Sequence, residues 1–315
     1  MRLRHMKAAP HPEVPQHYLG GIALRLLAMA SLSAMFVLVK MAAEAGVHVA
    51  ESLFWRQVVV LPLLIIWAMR HGGLSNFHTR RPGTHARRAI MGLTGMALNF
   101  GGMIYLPMAE ATTINLSVPI FAVIFAALFL GEPTGWQRWS AVIIGFLGVL
   151  VVLNPTTVVA SGFSGDHGLG TLIALGGAIM TALITIQVRD LSRTESPMSI
   201  VFWFSLISLI PLTLALPFVM TSHSASEWAI LVGLGLFGAV VQMSLTGALR
   251  LAPVAVVTPM DYSSLLWAIA FGWYFFGTLP ADTTWVGAPL IVLSGLFIAW
   301  REHRLHIERQ KDIAA

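Results

Sequence analysis

Ten apolar runs, most of them near 20 residues long, constrain this chain more than anything else in its sequence. They cover about residues 19–40, 52–70, 88–107, 112–130, 136–153, 168–189, 198–219, 229–250, 257–276 and 284–300. A helix rises about 1.5 Å per residue, so roughly 20 apolar residues cross the ~30 Å hydrocarbon core of a bilayer. The runs are too long for the ~10-residue alternating strands of a membrane barrel. The predicted fold is therefore an all-α polytopic membrane protein with ten transmembrane helices. Composition agrees: 57% of residues are apolar and 10% charged, against about 45–50% and 25% in soluble domains. A soluble enzyme, a nucleic-acid module and a disordered scaffold are excluded, and little chain is left for a catalytic domain outside the bilayer. There is no cysteine, so thiolate and disulfide chemistry are excluded too.

Residues 1–17, MRLRHMKAAPHPEVPQH, are basic and proline-bearing and read as a disordered tail. They look like the leader of a signal peptide. The run behind them has the length of a span, though, not the 7–15 residues of a signal core. An uncleaved first span is expected. Lys and Arg then fix the orientation, because they accumulate in cytoplasmic loops. With the N-terminus inside, seventeen of the 19 Lys and Arg fall on that side, and only Lys40 and Arg56 at or near the other. Both termini are expected in the cytoplasm, with the chain in the inner (plasma) membrane. The formal charge of +5 is thus a topology signal and predicts no nucleic-acid partner.

Shifting the chain by 146 positions brings twelve identities into fifty aligned residues. Gly101, Pro107, Ala109, Thr112, Gly131 and Trp139 meet Gly247, Pro253, Ala255, Thr258, Gly277 and Trp285. Earlier in each half, Gly21, Lys40 and Pro62 meet Gly170, Arg189 and Pro211. The repeats are expected at 18–154 and 168–302, with an outer linker at 155–167 and a cytoplasmic tail at 303–315. Five spans per repeat is odd, so the second repeat enters the membrane from the opposite face. Inverted repeats are the ground plan of many alternating-access carriers, with the site at the repeat interface.

The stretch YLPMAEATTINLSVPIFAVIFAALFLGEPTGWQRWSAVIIGFLGVLVVLNP resembles the EamA-type repeat of the drug/metabolite transporter superfamily. LAPVAVVTPMDYSSLLWAIAFGWYFFGTLP follows the same outline, with Phe276-Gly277-Thr278 where the first half has Leu130-Gly131-Glu132. The resemblance implies two inverted five-helix repeats around a central cavity, with the fifth and tenth helices outside it. It also implies a small organic substrate. Members include YddG-like aromatic amino-acid exporters and carriers of nucleotide-like and vitamin-like metabolites.

Several polar residues fall inside spans, where they usually face a cavity or a partner. Arg56 is expected to hold a substrate carboxylate or latch the outer gate; the alternative is an interfacial arginine paired with Glu51. Asn115 and Asp261 are exact repeat counterparts beside Pro119 and Pro259, and prolines free backbone carbonyls. Both are expected to line the cavity or else to be helix-start residues. Asn99, Gln187 and Gln242 are buried amides needing a ligand or a neighbouring helix. Tyr105, Trp203, Tyr262 and Trp267 offer faces for an aromatic ligand, or belong to the aromatic belt. Pro62 and Pro211 fall at matched places in spans two and seven and, with Pro119 and Pro259, are expected as kinks or gates. Asp261 is the acidic residue expected within a span and away from any interface partner; it is the natural carrier if protons drive transport, with facilitated diffusion, which needs no such carrier, the favoured alternative.

Gly162-Phe163-Ser164-Gly165 matches a serine motif of intramembrane proteases, but no later span offers the histidine base that chemistry needs. No GxxxxGK[ST] stretch and no HExxH spacing occur, so no cofactor and no metal site are expected. The reading is a secondary transporter, not an enzyme, working by alternating access in the lipid bilayer. An exporter of amino acids, aromatic or apolar, comes first; a carrier for a nucleoside-like or vitamin-like metabolite comes second. A non-transport structural or enzymatic membrane protein is the competing class. Reporter fusions test the orientation: one after Ala315 is expected to report the cytoplasm and one near Ser164 the opposite side. The same side for both would contradict the inverted repeat.

Overall fold

The computed structural model describes residues 18–70, 73–130, 135–153 and 166–314. The first half forms α1 (Tyr18–Glu44), α2 (Val49–Arg70), α3 (Pro82–Tyr105), α4 (Met108–Asn115), α5 (Val118–Leu130) and α6 (Trp136–Leu153). The second forms α7 (Asp166–Leu191), α8 (Pro197–Val219), α9 (Ala225–Leu251), α10 (Val254–Val257), α11 (Ser263–Phe276) and α12 (Asp282–Ala314). Short 3-10 turns cover Leu74–Phe77 and Thr258–Tyr262. Helices α4 and α5 make one pass; α10, the second 3-10 turn and α11 make another. The chain is an all-helical membrane protein of ten passes. Seven of them are long and apolar enough to span by length and composition alone. The other three are α3, α6 and the broken ninth pass.

The helices exceed the apolar runs that predict them. Pro82 opens α3 six residues before the expected start, in a first turn where the missing N–H costs nothing. The added turns carry His85 and Arg87, so hydropathy does not register them. Helix α12 runs on past Arg301 to Ala314, so the repeat boundary expected at 302 lies inside a helix. The expected tail at 1–17, the Gly131-Glu132 turn and the Gly162–Gly165 motif lie outside the described residues.

Passes four and nine break at repeat-related places. After α4, the Leu116 N–H donates to the Thr112 carbonyl (2.9 Å) and the Ser117 N–H to Ile114 (3.1 Å), closing a turn. Pro119 then sits in the first turn of α5, where it needs no acceptor. In the ninth pass Pro259 opens the 3-10 turn that carries Asp261 and Tyr262. Pro62 and Pro211, by contrast, lie inside the unbroken helices α2 and α8. The matched interruptions of this chain are therefore in passes four and nine.

Helix neighbours form a closed ring. Helix α1 packs on α9, α9 on α2, α2 on α8, α8 on α3, α3 on α7, α7 on the α4–α5 pass, α4 on α11, and α11 back on α1. Every neighbour in this circuit comes from the other half of the chain. Helices α6 and α12 pack on each other outside it. Lipid tails are as apolar as leucine, so packing and small residues, not water exclusion, hold such helices together. The α3–α7 contact shows how: a Cβ placed on Gly102 would stand 2.9 Å from the Ala174 Cβ, and one on Gly177 would stand 2.9 Å from Asn99 Oδ1. The repeat-related contact of α1 with α9 sets Gly21 against Ala252.

Replacing Gly102 with leucine is expected to lower stability by about 1–3 kcal/mol through overpacking, seen as a lower Tm in detergent. Gly176→Ala, whose nearest neighbour would be 3.6 Å away, is the control and is expected to leave Tm unchanged. An unchanged Tm for Gly102→Leu would mean that α3 and α7 do not approach this closely.

Candidate functional site

The end of the bundle where α1 starts is the near end, and the end where α1 finishes is the far end. Near the far end, Lys40 of α1 donates to the Leu106 carbonyl between α3 and α4 (2.9 Å). Its ammonium also stands 5.4 Å from the centre of the Phe276 ring. Glu110, buried in α4, pairs with His167 at the start of α7 (3.0 Å).

Deeper in the ring, Asn115 at the end of α4 donates its amide N–H to Asn99 Oδ1 on α3. Asn99 Nδ2 donates to the Gly95 carbonyl (2.8 Å) and to the Thr181 hydroxyl of α7 (3.1 Å). Thr181 in turn donates to the Gly177 carbonyl (2.8 Å). Two of the expected site residues are thus brought together in a polar ladder joining passes three, four and six. The turn after α4 lets Asn115 reach sideways, and the glycine at 177 lets α7 come close enough to meet Asn99.

Arg56 lies about two turns into α2 and is 7% exposed. Its Nη1 is 3.2 Å from Met96 Sδ on α3, and its Nε has no hydrogen-bond partner among the described residues. Gly238 of α9 lies beside the guanidinium, and Met35 of α1 beside Gly238. Arg56 therefore points into the ring. A thioether is a weak acceptor. An arginine at mid-bilayer depth costs about 2.5–3.5 kcal/mol, and one neutral interhelical hydrogen bond returns roughly 0.6 kcal/mol. The Met96 contact does not offset that cost. The adjacent Gln57 is fully buried with both amide atoms unpaired.

The alternative pairing of Arg56 with Glu51 is absent. Five residues of helix turn a side chain by about 140°, away from its partner. Glu51 is instead held by His223 Nε2 (2.5 Å) and by the Trp55 indole N–H (3.4 Å). His223 Nδ1 reaches Glu227 (3.2 Å), and the His223 ring packs edge-on to Trp228, 5.3 Å between centroids. Trp55 and Trp228 meet at 4.7 Å. This cluster fastens α2 to the start of α9 at the far end. The His223 imidazole is pushed up from its ordinary value, chiefly by its hydrogen bond to Glu51.

At the near end Arg25 of α1 grips Asp261 with both arms, Nε to Oδ1 at 2.5 Å and Nη2 to Oδ2 at 2.6 Å. Asp261, expected without an interface partner, is half of an ion pair. The pair ties α1 to the broken ninth pass across 236 residues of sequence, which no local pattern signals. Arg88 of α3 lies over the Phe204 ring of α8 at 4.8 Å, with Nε and Nη1 unpaired among the described residues. Gln187 is buried, its amide unpaired, on a cavity of about 500 Å³ between α3, α5 and α7 that Arg87 and Arg193 also line.

The other expected residues have separate places. Trp203 donates its indole N–H to the Phe77 carbonyl (2.8 Å), and Phe77 stacks on Phe202 at 4.0 Å, which straps the α2–α3 connection onto α8. The Tyr262 hydroxyl lies over Gly295 of α12. Trp267 is 38% exposed and tilts over Phe271, and Tyr105 is 42% exposed at the far end of α3. Gln242 is half-buried in α9, its carbonyl accepting from the Thr246 hydroxyl. Sequence reasoning missed Lys40, Arg88, Arg25 and Thr181 as interior groups. One signal for Arg88 existed: Gly92, one turn on, where a methyl would overlap the guanidinium and the Phe204 ring. Among the described residues no three His, Cys, Asp or Glu gather as for a metal. The interior offers amides and cations, groups that bind polar and anionic ligands.

Two segments of the chain, 19–154 and 168–300, match the model of the EamA-like transporter family. The chain is 31% identical to a riboflavin transporter of Vibrio cholerae over 255 residues, covering 80% of this chain and 82% of that one. It is 29% identical to an S-adenosylmethionine uptake transporter of Rickettsia felis, covering 91% and 95%. A solved crystal structure shares the fold with a TM-score of 0.58 and 17% identity, covering 88% of this chain and 96% of that one.

The far-end cluster has a pH signature. A histidine whose folded pKa is raised stabilises the fold below its unfolded value of about 6.5. That contribution fades as pH rises through the raised folded value. The Tm is therefore expected to fall as pH rises above about 6.5, and His223→Gln to flatten that slope. A slope unchanged in His223→Gln would show that the histidine does not carry it.

Proposed function

The chain belongs to the EamA-like transporter family, and from that premise we propose that it carries a vitamin-like or nucleoside-like metabolite, an aromatic heterocycle with polar edges. As a family member it is a secondary transporter of small metabolites and not an enzyme. The observation that carries the cargo assignment is the naming of relatives that match along four-fifths or more of the chain: riboflavin for one, S-adenosylmethionine for another. Those names favour the second of the two cargo expectations over amino-acid export. The interior chemistry supports the same choice. Asn99, Asn115 and Thr181 place amides and a hydroxyl in the ring, and an amide both donates and accepts. A flavin or adenine edge needs that mixture; an apolar amino-acid side chain does not.

The repeats at 18–154 and 168–302 are proposed to contribute one flexible point each to the alternating-access cycle, the breaks at Asn115 and Asp261. Arg56, Asn99, Asn115 and Asp261 are proposed to line the pathway, with Gln187 and Gln242 beside it. The near end is proposed to face the cytoplasm of the inner membrane, because the Lys and Arg outside the spans gather there. Without a phosphate-binding loop, transport is proposed to run downhill or on an ion gradient.

Purified protein in liposomes provides the test. Uptake of labelled riboflavin or S-adenosylmethionine is expected well above protein-free vesicles, with Asn99→Leu lowering it about tenfold, a loss of roughly 1.4 kcal/mol. Transport of phenylalanine or tryptophan with no flavin or adenosyl uptake would reverse the assignment.

A further inference from the structure

The charges buried in the ring do not balance. Glu44, at the exposed end of α1, lies one turn from Lys40, and the acids deeper in the passes already have basic partners. Glu51 has His223, Glu110 has His167, and Asp261 has Arg25. Lys40, Arg56 and Arg88 are left, and none of them makes an ion pair among the described residues. Lys40 has a carbonyl and a ring face, Arg56 a thioether, and Arg88 a ring face. Arg56 Nε and two of the Arg88 nitrogens are buried without any acceptor.

Their depths differ in a regular way. Lys40 stands one turn from the far end of α1, Arg56 about two turns into α2 from that same end, and Arg88 under two turns from the near end of α3. Lys40 reaches the α3–α4 connection and α11, and Arg56 reaches α3 and α9, so both lean across the ring. A buried guanidinium is stabilised by a desolvated anion far more than by a ring or a sulfur. All three cations come from the first repeat, and among the described residues no acid of the second repeat stands within ion-pair distance of them.

We infer that the cargo bears an anionic group, a carboxylate or a phosphate, which passes along Lys40, Arg56 and Arg88 on its way through the ring. This rests on the carrier function proposed above and narrows its substrate class to acids. Arg56, the most buried of the three with an open Nε, is the central station.

Two measurements test the inference, and the first needs no knowledge of the cargo. Sodium phosphate or sodium acetate, compared with sodium chloride at matched ionic strength, is expected to raise the Tm of the purified protein by several degrees. Arg56→Gln is expected to abolish the rise, and Arg56→Lys, which keeps the charge, to retain part of it. Equal Tm values in all three salts for the unaltered protein would overturn the inference, as would a rise that survives in Arg56→Gln. The second compares paired cargoes in liposomes: riboflavin against riboflavin 5′-phosphate, and S-adenosylmethionine against its decarboxylated form. The acid-bearing member is expected to move at least tenfold faster, with Arg56→Gln erasing that preference, and the pair that responds distinguishes phosphate from carboxylate. Equal rates within both pairs overturn the inference while leaving the carrier function standing. Movement of neither pair tells against the heterocycle assignment alone, and the salt comparison then decides the anion site by itself.

Discussion

Each ring helix finds its neighbours in the opposite repeat, and the rest of the structure depends on that constraint. A bilayer supplies no water to pair with exposed backbone or to drive helices together. Neither repeat closes a ring alone; α1, α2, α3 and the α4–α5 pass are separated by α9, α8, α7 and α11. Close approach at Gly102, Gly177 and Gly21 makes this interleaving possible. The same closeness puts polar side chains from several passes within bonding distance inside the ring, as Asn99, Asn115 and Thr181 show.

An interleaved ring of inverted repeats also explains where the irregular backbone sits. Broken helix is tolerated at membrane depth where protein or a lined cavity satisfies it. The breaks after Asn115 and around Asp261 fall where passes four and nine lie against each other and against α7 and α1. The polar side chain at each break is tied to the other repeat, Asn115 through Asn99 to Thr181 and Asp261 directly to Arg25. The breaks thus join the repeats as well as interrupt the helices. At the two ends the ties are ionic or aromatic: His223 with Glu51 and Glu227 at one, Arg81 with Asp190 (2.7 Å) and Trp203 with Phe77 at the other. In the proposed alternating-access cycle, opening either end breaks one set while the other holds.

The ten passes and their grouping into two repeats were legible in the sequence because each rests on local pattern. Apolar length marks a pass, and matched Pro, Gly and Trp residues mark the repeat. What was not legible depends on which faces meet. Arg56 and Glu51 look like neighbours along the chain, yet they diverge around the helix, and Glu51 finds a histidine 172 residues away. Arg25 and Arg88 read as topology markers at span ends; only the packing of α1 on α11 and α3 on α8 gives them interior roles. Pro62 and Pro211 carry the stronger repeat match, but helices α2 and α8 run through them unbroken. Trp203 reads as a ligand face or a packing tryptophan, and its indole N–H bond to the Phe77 carbonyl, 126 residues away, has no local signature. The cargo was not legible at all, since the repeat outline is shared by carriers of chemically different metabolites.

The central claim is that this ring of interleaved repeats opens alternately at its two ends around a small-molecule cargo. The absence of native cysteine makes a direct measurement possible. Spin labels on cysteines replacing Asp166 and Ser226 report the far end across the ring, from α7 to α9. A second pair replacing Ser192 and Leu249 reports the near end. Electron–electron resonance in liposomes with saturating riboflavin or S-adenosylmethionine is predicted to show one distance shortening while the other lengthens, each by several ångströms. Distances that stay fixed, or that lengthen and shorten together, would contradict alternating access in this chain.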